Sequence, residues 1–261
     1  MNLSLLDIQQ SLSPRASLTL AGGYHLTHFT QSTGGLLLDN RQITGQAGYN
    51  YALSRRNSLA VVYGYQHFHF PTIGGGGFET HVVNFVFGHQ ISGRMDLQLG
   101  AGPQVTRLSS PVTGSSTKIS ASARASLRYR FPKTSMSINY TRLDSAGSGF
   151  FAGAESDVVR LTMNRPFGRR WEGSADIGFS HNRRLQIQNV GVNAKSYNDL
   201  YAGARVNRIL TRTINGFLFY QFNDLNFSSS VCGPGGVCNH LSTRNVIGLG
   251  LSWQPHPIRI D

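Results

Sequence analysis

The chain has 261 residues, of which 39% are hydrophobic and only 14% charged. Lys and Arg number 24 against 12 Asp and Glu, a formal net charge of +12. Low charge with ten Tyr and 15 Phe excludes a disordered chain, and the lack of any apolar run of about 18 residues excludes helical membrane spans. A basic balance of this size often marks a nucleic-acid binder, but here the basic residues follow turns instead of gathering on one face.

In chain order, one short device recurs six times. An apolar residue is followed by a tight turn of Ser, Thr, Pro or Gly carrying one or two basic residues. The six are Leu12–Arg15, Leu53–Arg56, Ile91–Arg94, Phe131–Lys133, Phe167–Arg170 and Leu210–Arg212. About half of the 24 basic residues lie in or near these turns. Alternating segments flank each turn, predicting strands over 15–29, 41–53, 57–69, 79–91, 94–107, 117–131, 134–143, 156–167, 170–183, 197–209, 213–227 and 242–254. The clearest runs from Ile119 to Phe131. Ile119, Ala121, Ala123, Ala125, Leu127, Tyr129 and Phe131 take one face, and Ser120, Ser122, Arg124, Ser126, Arg128 and Arg130 the other. It exceeds the usual soluble strand of about 5–6 residues and suits a tilted transmembrane strand of roughly 9–11.

Short turns alternate strictly with longer connections such as PTIGGGGFE and DSAGSGFFAGAES. Membrane barrels have this layout, with tight turns on the periplasmic side and long loops outside. The fold class is therefore all-β, an antiparallel up-and-down transmembrane barrel of about 12 strands spanning 13–254, with a tail at 255–261. Residues 1–12 leave two readings open: a remnant strand of a larger, truncated barrel, or a loose periplasmic arm on a twelve-stranded one. The segment shows neither the basic start nor the apolar core of a signal peptide.

The architecture resembles the outer-membrane β-barrel proteins of Gram-negative bacteria over nearly the whole length. NVIGLGLSW, with Ile247, Leu249, Leu251 and Trp253 on one face, is similar to the family's assembly-signal strand, although eight residues follow the aromatic. Tyr129, Phe131, Trp171 and Trp253 fall at the basic rim like the family's interfacial aromatics, and Phe29, Phe70, Phe78, Phe150 and Phe227 at the opposite rim. The resemblance implies the cell outer membrane as location. It also implies a bilayer bearing lipopolysaccharide as surroundings, the barrel-assembly machinery as partner, and no cofactor.

Candidate chemistry is sparse. No nucleophile elbow, P-loop, EF-hand loop or HExxH occurs, so no enzyme is expected. His67, His69 and His81 could bind zinc, but no further ligand beyond Glu79 is fixed near them and their face carries Tyr63 and Tyr65. They read as interfacial polar aromatics, and no metal site is predicted. Cys232 and Cys238 bracket a Gly/Pro loop that can close into a disulfide in an oxidising compartment.

The polar face is more informative. Arg124, Arg128, Arg130, Arg160 and Arg205 share it with Asp176 and Asp96. Each arginine would cost about 2–4 kcal/mol if it faced lipid near the midplane, so all are expected to face the lumen. Arg160 and Asp176 are expected to pair across their hairpin, counted from Gly168. Arg124, Arg160 and Arg205 are expected either to form a belt at mid-height or only to bridge strands through Asp176 and Asp96. Two functions fit: a channel or export pore for polar solutes, including anionic ones such as saccharides, or a non-transport scaffold using its long loops.

Overall fold

The computed structural model describes residues 2–28, 39–71, 76–110, 114–146, 151–185, 194–211, 213–232 and 238–253, with the backbone alone at 2, 110, 230–232 and 238–240. The strands are β1 (Asn2–Ser13), β2 (Ala16–Thr27), β3 (Asn40–Ala52), β4 (Asn57–Phe70), β5 (Gly76–Ser92), β6 (Met95–Ser110), β7 (Gly114–Arg130), β8 (Ser135–Ser145), β9 (Ala154–Pro166), β10 (Trp171–Arg184), β11 (Ser196–Ile209), β12 (Ile214–Cys232) and β13 (Cys238–Trp253). They form one sheet in sequence order, each antiparallel to the next. Among the described residues the strands number thirteen, residues 2–13 being a strand as one of the two readings had it. Residues 2–13 pair along β2, from Asn2↔Leu26 to Ser13↔Ala16.

The recurring turns have a common physical cause. Ser13, Ser54 and Thr211 each accept backbone N–H groups two and three residues on, with Ser54 Oγ 3.2 Å from Arg56 N and 3.0 Å from Asn57 N. A hydroxyl that satisfies two N–H groups locally turns the chain where the ladder must stop. This is why the Leu-Ser-x-Arg pattern recurs.

The two faces of the sheet are inverted relative to a soluble protein. Rows of apolar residues meet across strands on the outer face, as in Leu127↔Ile138, Ile138↔Leu161 and Leu161↔Ile177. Leu249 is 84% exposed and Ile247 75%. The inner face buries Asn84, Gln104, Thr106, Ser122, Asp144 and Asn182. The sheet curls tightly enough that Leu5 of β1 and Thr141 of β8 line one cavity.

One seam departs from regularity. β6 and β7 pair along their whole length, from Met95↔Tyr129 to Ser110↔Gly114. β7 and β8 pair only between Arg130↔Ser135 and Ala123↔Arg142. Beyond Arg142, β8 stays with β9 through Leu143↔Ser156 and Asp144↔Glu155. The end of the β8–β9 hairpin therefore peels away from β7.

Candidate functional site

The peeled hairpin turns inward. Asp144 is 1% exposed, and its Oδ2 accepts hydrogen bonds from Thr106 Oγ1 on β6 and Thr80 Oγ1 on β5. Both threonines point into the barrel. Further along, Ala152 packs with Phe68, Phe70 and Phe78 of β4 and β5, while Phe151 packs with Tyr197 and Phe227 of β11 and β12. Phe151 and Ala152 are fully buried. The segment thus spans from one wall to the other at the end of the barrel opposite the basic turns. Gly153 has φ of +97°, and a Cβ there would sit 2.5 Å from the Phe78 ring, so the position suits glycine on both counts.

Charges hold the open seam. Glu155, 5% exposed, receives Lys118 Nζ at 2.5 Å from β7, Arg142 Nη2 at 2.6 Å from β8 and Arg183 Nη2 at 2.9 Å from β10. One buried carboxylate thereby ties three strands where the ladder is missing. Neither this cluster nor the inward aromatic was read from sequence. The hint was compositional: DSAGSGFFAGAES joins small residues to two Phe between acidic ends, unlike the polar loops around it.

The predicted lumen residues lie on the inner face but fall into separate groups. Arg160 Nη2 lies 3.1 Å from Asp176 Oδ2. The register pairs Arg160 with Gly178 and Asp176 with Thr162, so the contact is diagonal, two residues off direct opposition. The hairpin is centred on residue 169, one residue beyond the Gly168 of the sequence count. Arg130 Nη2 lies 2.6 Å from Asp96 Oδ2. Arg205 donates from Nε to Asn207 Oδ1 at 2.7 Å and lies 4.1 Å over the Phe217 ring. Arg128 lines a cleft near the turns with Arg130 and Thr162.

Arg160 and Arg205 share a cleft with Asp176 and Tyr201. Arg124 lies elsewhere, in the cavity between β1 and β8. The mid-height belt is thus split between two places.

At the basic rim, Phe131, Trp171 and Trp253 are exposed on the outer face. Tyr129 meets Phe131 edge-on at 4.3 Å, and the Arg208 guanidinium lies 4.9 Å from the Trp171 ring. The opposite rim differs from expectation. Phe70, Phe78 and Phe227 are inside, buried against the inward segment, because their strand parity is that of the lumen face. Phe29 and Phe150 lie outside the described residues. Tyr63 Oη is 2.7 Å from His81 Nδ1 on the outer face. Among the described residues no group of three His, Cys, Asp or Glu could hold a metal. Cys232 and Cys238 stand directly opposite in the β12–β13 register; their side chains lie outside the described residues.

No family model matches the sequence, and no curated protein matches it. Solved structures do. The siderophore receptor PirA from Pseudomonas aeruginosa matches at TM-score 0.50 and 13% identity, over 95% of this chain and 56% of that one. BauA, the ferric preacinetobactin receptor from Acinetobacter baumannii, matches at 0.52 and 10%, over 95% and 55%. BamA from Haemophilus ducreyi lacking POTRA domains 1–3 matches at 0.51 and 11%, over 97% and 64%. The matched structures are outer-membrane β-barrels. This chain has the outer-membrane β-barrel fold. It spans between 55% and 64% of the length of those three proteins.

The barrel's inside-out wall explains why nearly forty large hydrophobic side chains among the described residues are exposed without making it a soluble protein with a defective surface. Lipid covers the outer rows, and water or solute meets the inner face. The outer membrane is the setting that this distribution suits.

Proposed function

We propose that the barrel is a pore of the outer membrane for polar solutes, with a preference for anionic ones such as acidic saccharides. The observation that carries this reading is the inner face: Arg124, Arg160 and Arg205 line its mid-height clefts beside amides and hydroxyls, and Asp176 pairs with Arg160 there. Basic side chains along a passage attract anions and repel cations. In this reading the basic turns are periplasmic and the long connections external. The outer edges of β1 and β13, each paired on one side only, must find partners in the bilayer, with each other or with further strands, since hydrocarbon offers backbone groups none.

The inward β8–β9 segment narrows the external mouth, so the pore conducts through what that segment leaves open. A second reading is a non-transport scaffold. It is favoured by the pairing of Arg160 with Asp176 and Arg130 with Asp96, together with the occupied mouth. Reconstitution of folded protein into planar bilayers under a salt gradient separates the two. Conductance with a reversal potential favouring anions supports the pore, and silent bilayers containing folded protein support the scaffold.

A further inference from the structure

Arg124 differs in its setting from the other arginines expected to face the lumen. Arg130 and Arg160 each reach a carboxylate, Arg205 is engaged by Asn207 and Phe217, and Arg128 lines the open cleft near the turns. Among the described residues no ion-pair partner lies against Arg124. Its stem lies across Gly100, its direct cross-strand partner on β6. A Cβ at Gly100 would sit 2.8 Å from Arg124 Cγ and 3.2 Å from Cδ. Glycine there lets the side chain lie flat along the wall toward β5.

That wall encloses a cavity of about 330 Å³ lined by Arg124 with Gln46, Gln66, Asn84, Gln104 and Ser122. The size is at the small end of ligand pockets, roughly 300–1,000 Å³. Two carboxylates border it without neutralising the guanidinium. Asp144 is turned into Thr80 and Thr106, and Asp7 lies on the β1 side. A half-buried guanidinium lacking a carboxylate, in a chamber whose amides and hydroxyls stand among the apolar side chains of Leu5, Val62 and Val82, is matched by an anion that accepts charge-assisted hydrogen bonds.

We infer that this cavity is a saturable binding site for a small sugar acid. The solute carboxylate pairs with Arg124, and its hydroxyls exchange hydrogen bonds with the amides and donate to Asp7. The inference deepens the pore reading and rests on it for biological purpose. The other arginines make field, while Arg124 makes contact. The inward β8–β9 segment lies above the cavity on its external side, through Asp144, so a solute from outside reaches Arg124 after passing the mouth.

The test is calorimetric titration of folded, detergent-solubilised protein with D-glucuronate, and with D-glucose as the neutral counterpart. Wild type should bind glucuronate saturably and more tightly than glucose. Arg124→Gln should weaken glucuronate about tenfold to a hundredfold, the loss typical of a charge-assisted contact. Arg15→Gln, which removes the same charge at a turn, should change nothing. Gly100→Val keeps the charge but fills the space of the Arg124 stem, and should also weaken binding; it decides the matter if Arg124→Gln fails to fold. Equal affinity in both site variants, or equal affinity for glucose and glucuronate, overturns the site. Binding without conductance in bilayers supports the site and sinks the pore. Conductance without saturable glucuronate binding sinks the site and leaves the pore.

Discussion

Asp144 on β8 accepts a hydrogen bond from Thr106 on β6, 38 residues away in sequence and with all of β7 between them. The bond exists because β8 leaves β7 after Arg142 and crosses the inner face. Hydrogen bonds to a charged group contribute about 1.5–3 kcal/mol, enough to bias where the hairpin end rests. Asp144→Ala should therefore release the segment and raise single-channel conductance, measured in planar bilayers. Unchanged conductance would show that the segment does not narrow the path.

Phe151 tests the same mouth from the opposite wall. It is fully buried among Tyr197, Phe227 and Ala154. Truncation of a buried Phe to Ala typically costs about 3–5 kcal/mol. Phe151→Ala should loosen the segment enough for limited proteolysis to cut between β8 and β9 in folded protein, while cutting elsewhere stays as in wild type.

Glu155 should matter to the seam. With three cations on one nearly buried carboxylate, Glu155→Gln removes the charge that all of them share. Lys118 and Arg183 retain access to water, so the loss should stay below the roughly 3–5 kcal/mol of a fully buried broken pair. Urea titration of the folded barrel should show a lower midpoint. A midpoint equal to wild type would mean that the seam is held by other contacts.

Selectivity should respond with opposite signs at one ion pair. The Arg160–Asp176 pair is half open to solvent, and such pairs are worth only about 0.2–1 kcal/mol to stability. Asp176→Asn frees the guanidinium and should shift the reversal potential toward anions. Arg160→Gln should shift it away, with both variants folding normally. A shift of the same sign in both would count against a field effect at this pair.

Orientation is checked on intact cells. Arg55, in the β3–β4 turn, and Ser115, near the far end of β7, mark opposite ends of the barrel. With cysteines placed singly in a background lacking the native pair, Ser115→Cys should react with an impermeant thiol label and Arg55→Cys should not. The converse result reverses the assignment. For the native pair, the directly opposed register of Cys232 and Cys238 leads us to expect a disulfide in protein prepared without reductant, read by intact mass. A loop this short contributes about 2–3 kcal/mol at most, and free thiols would discard the bond.

The sequence alone determined the wall. Alternation sets which side chains share a face, since a strand's period of two leaves no freedom once the register is chosen. Ser and Thr set the turns, because their hydroxyls satisfy local N–H groups. Thus Leu127 faces out and Arg128 in wherever the strand sits. What the tertiary structure decided is which inner groups meet. Arg160 contacts Asp176 diagonally, not directly, because the hairpin centre falls one residue beyond the counted glycine. Parity alone puts Phe70, Phe78 and Phe227 on the inner face, and the tertiary structure decided that a segment from β8–β9 covers them there. That cover and the Glu155 cluster both follow from one strand end leaving its neighbour. Periodicity cannot encode such a departure, since it depends on contacts between residues far apart in the chain.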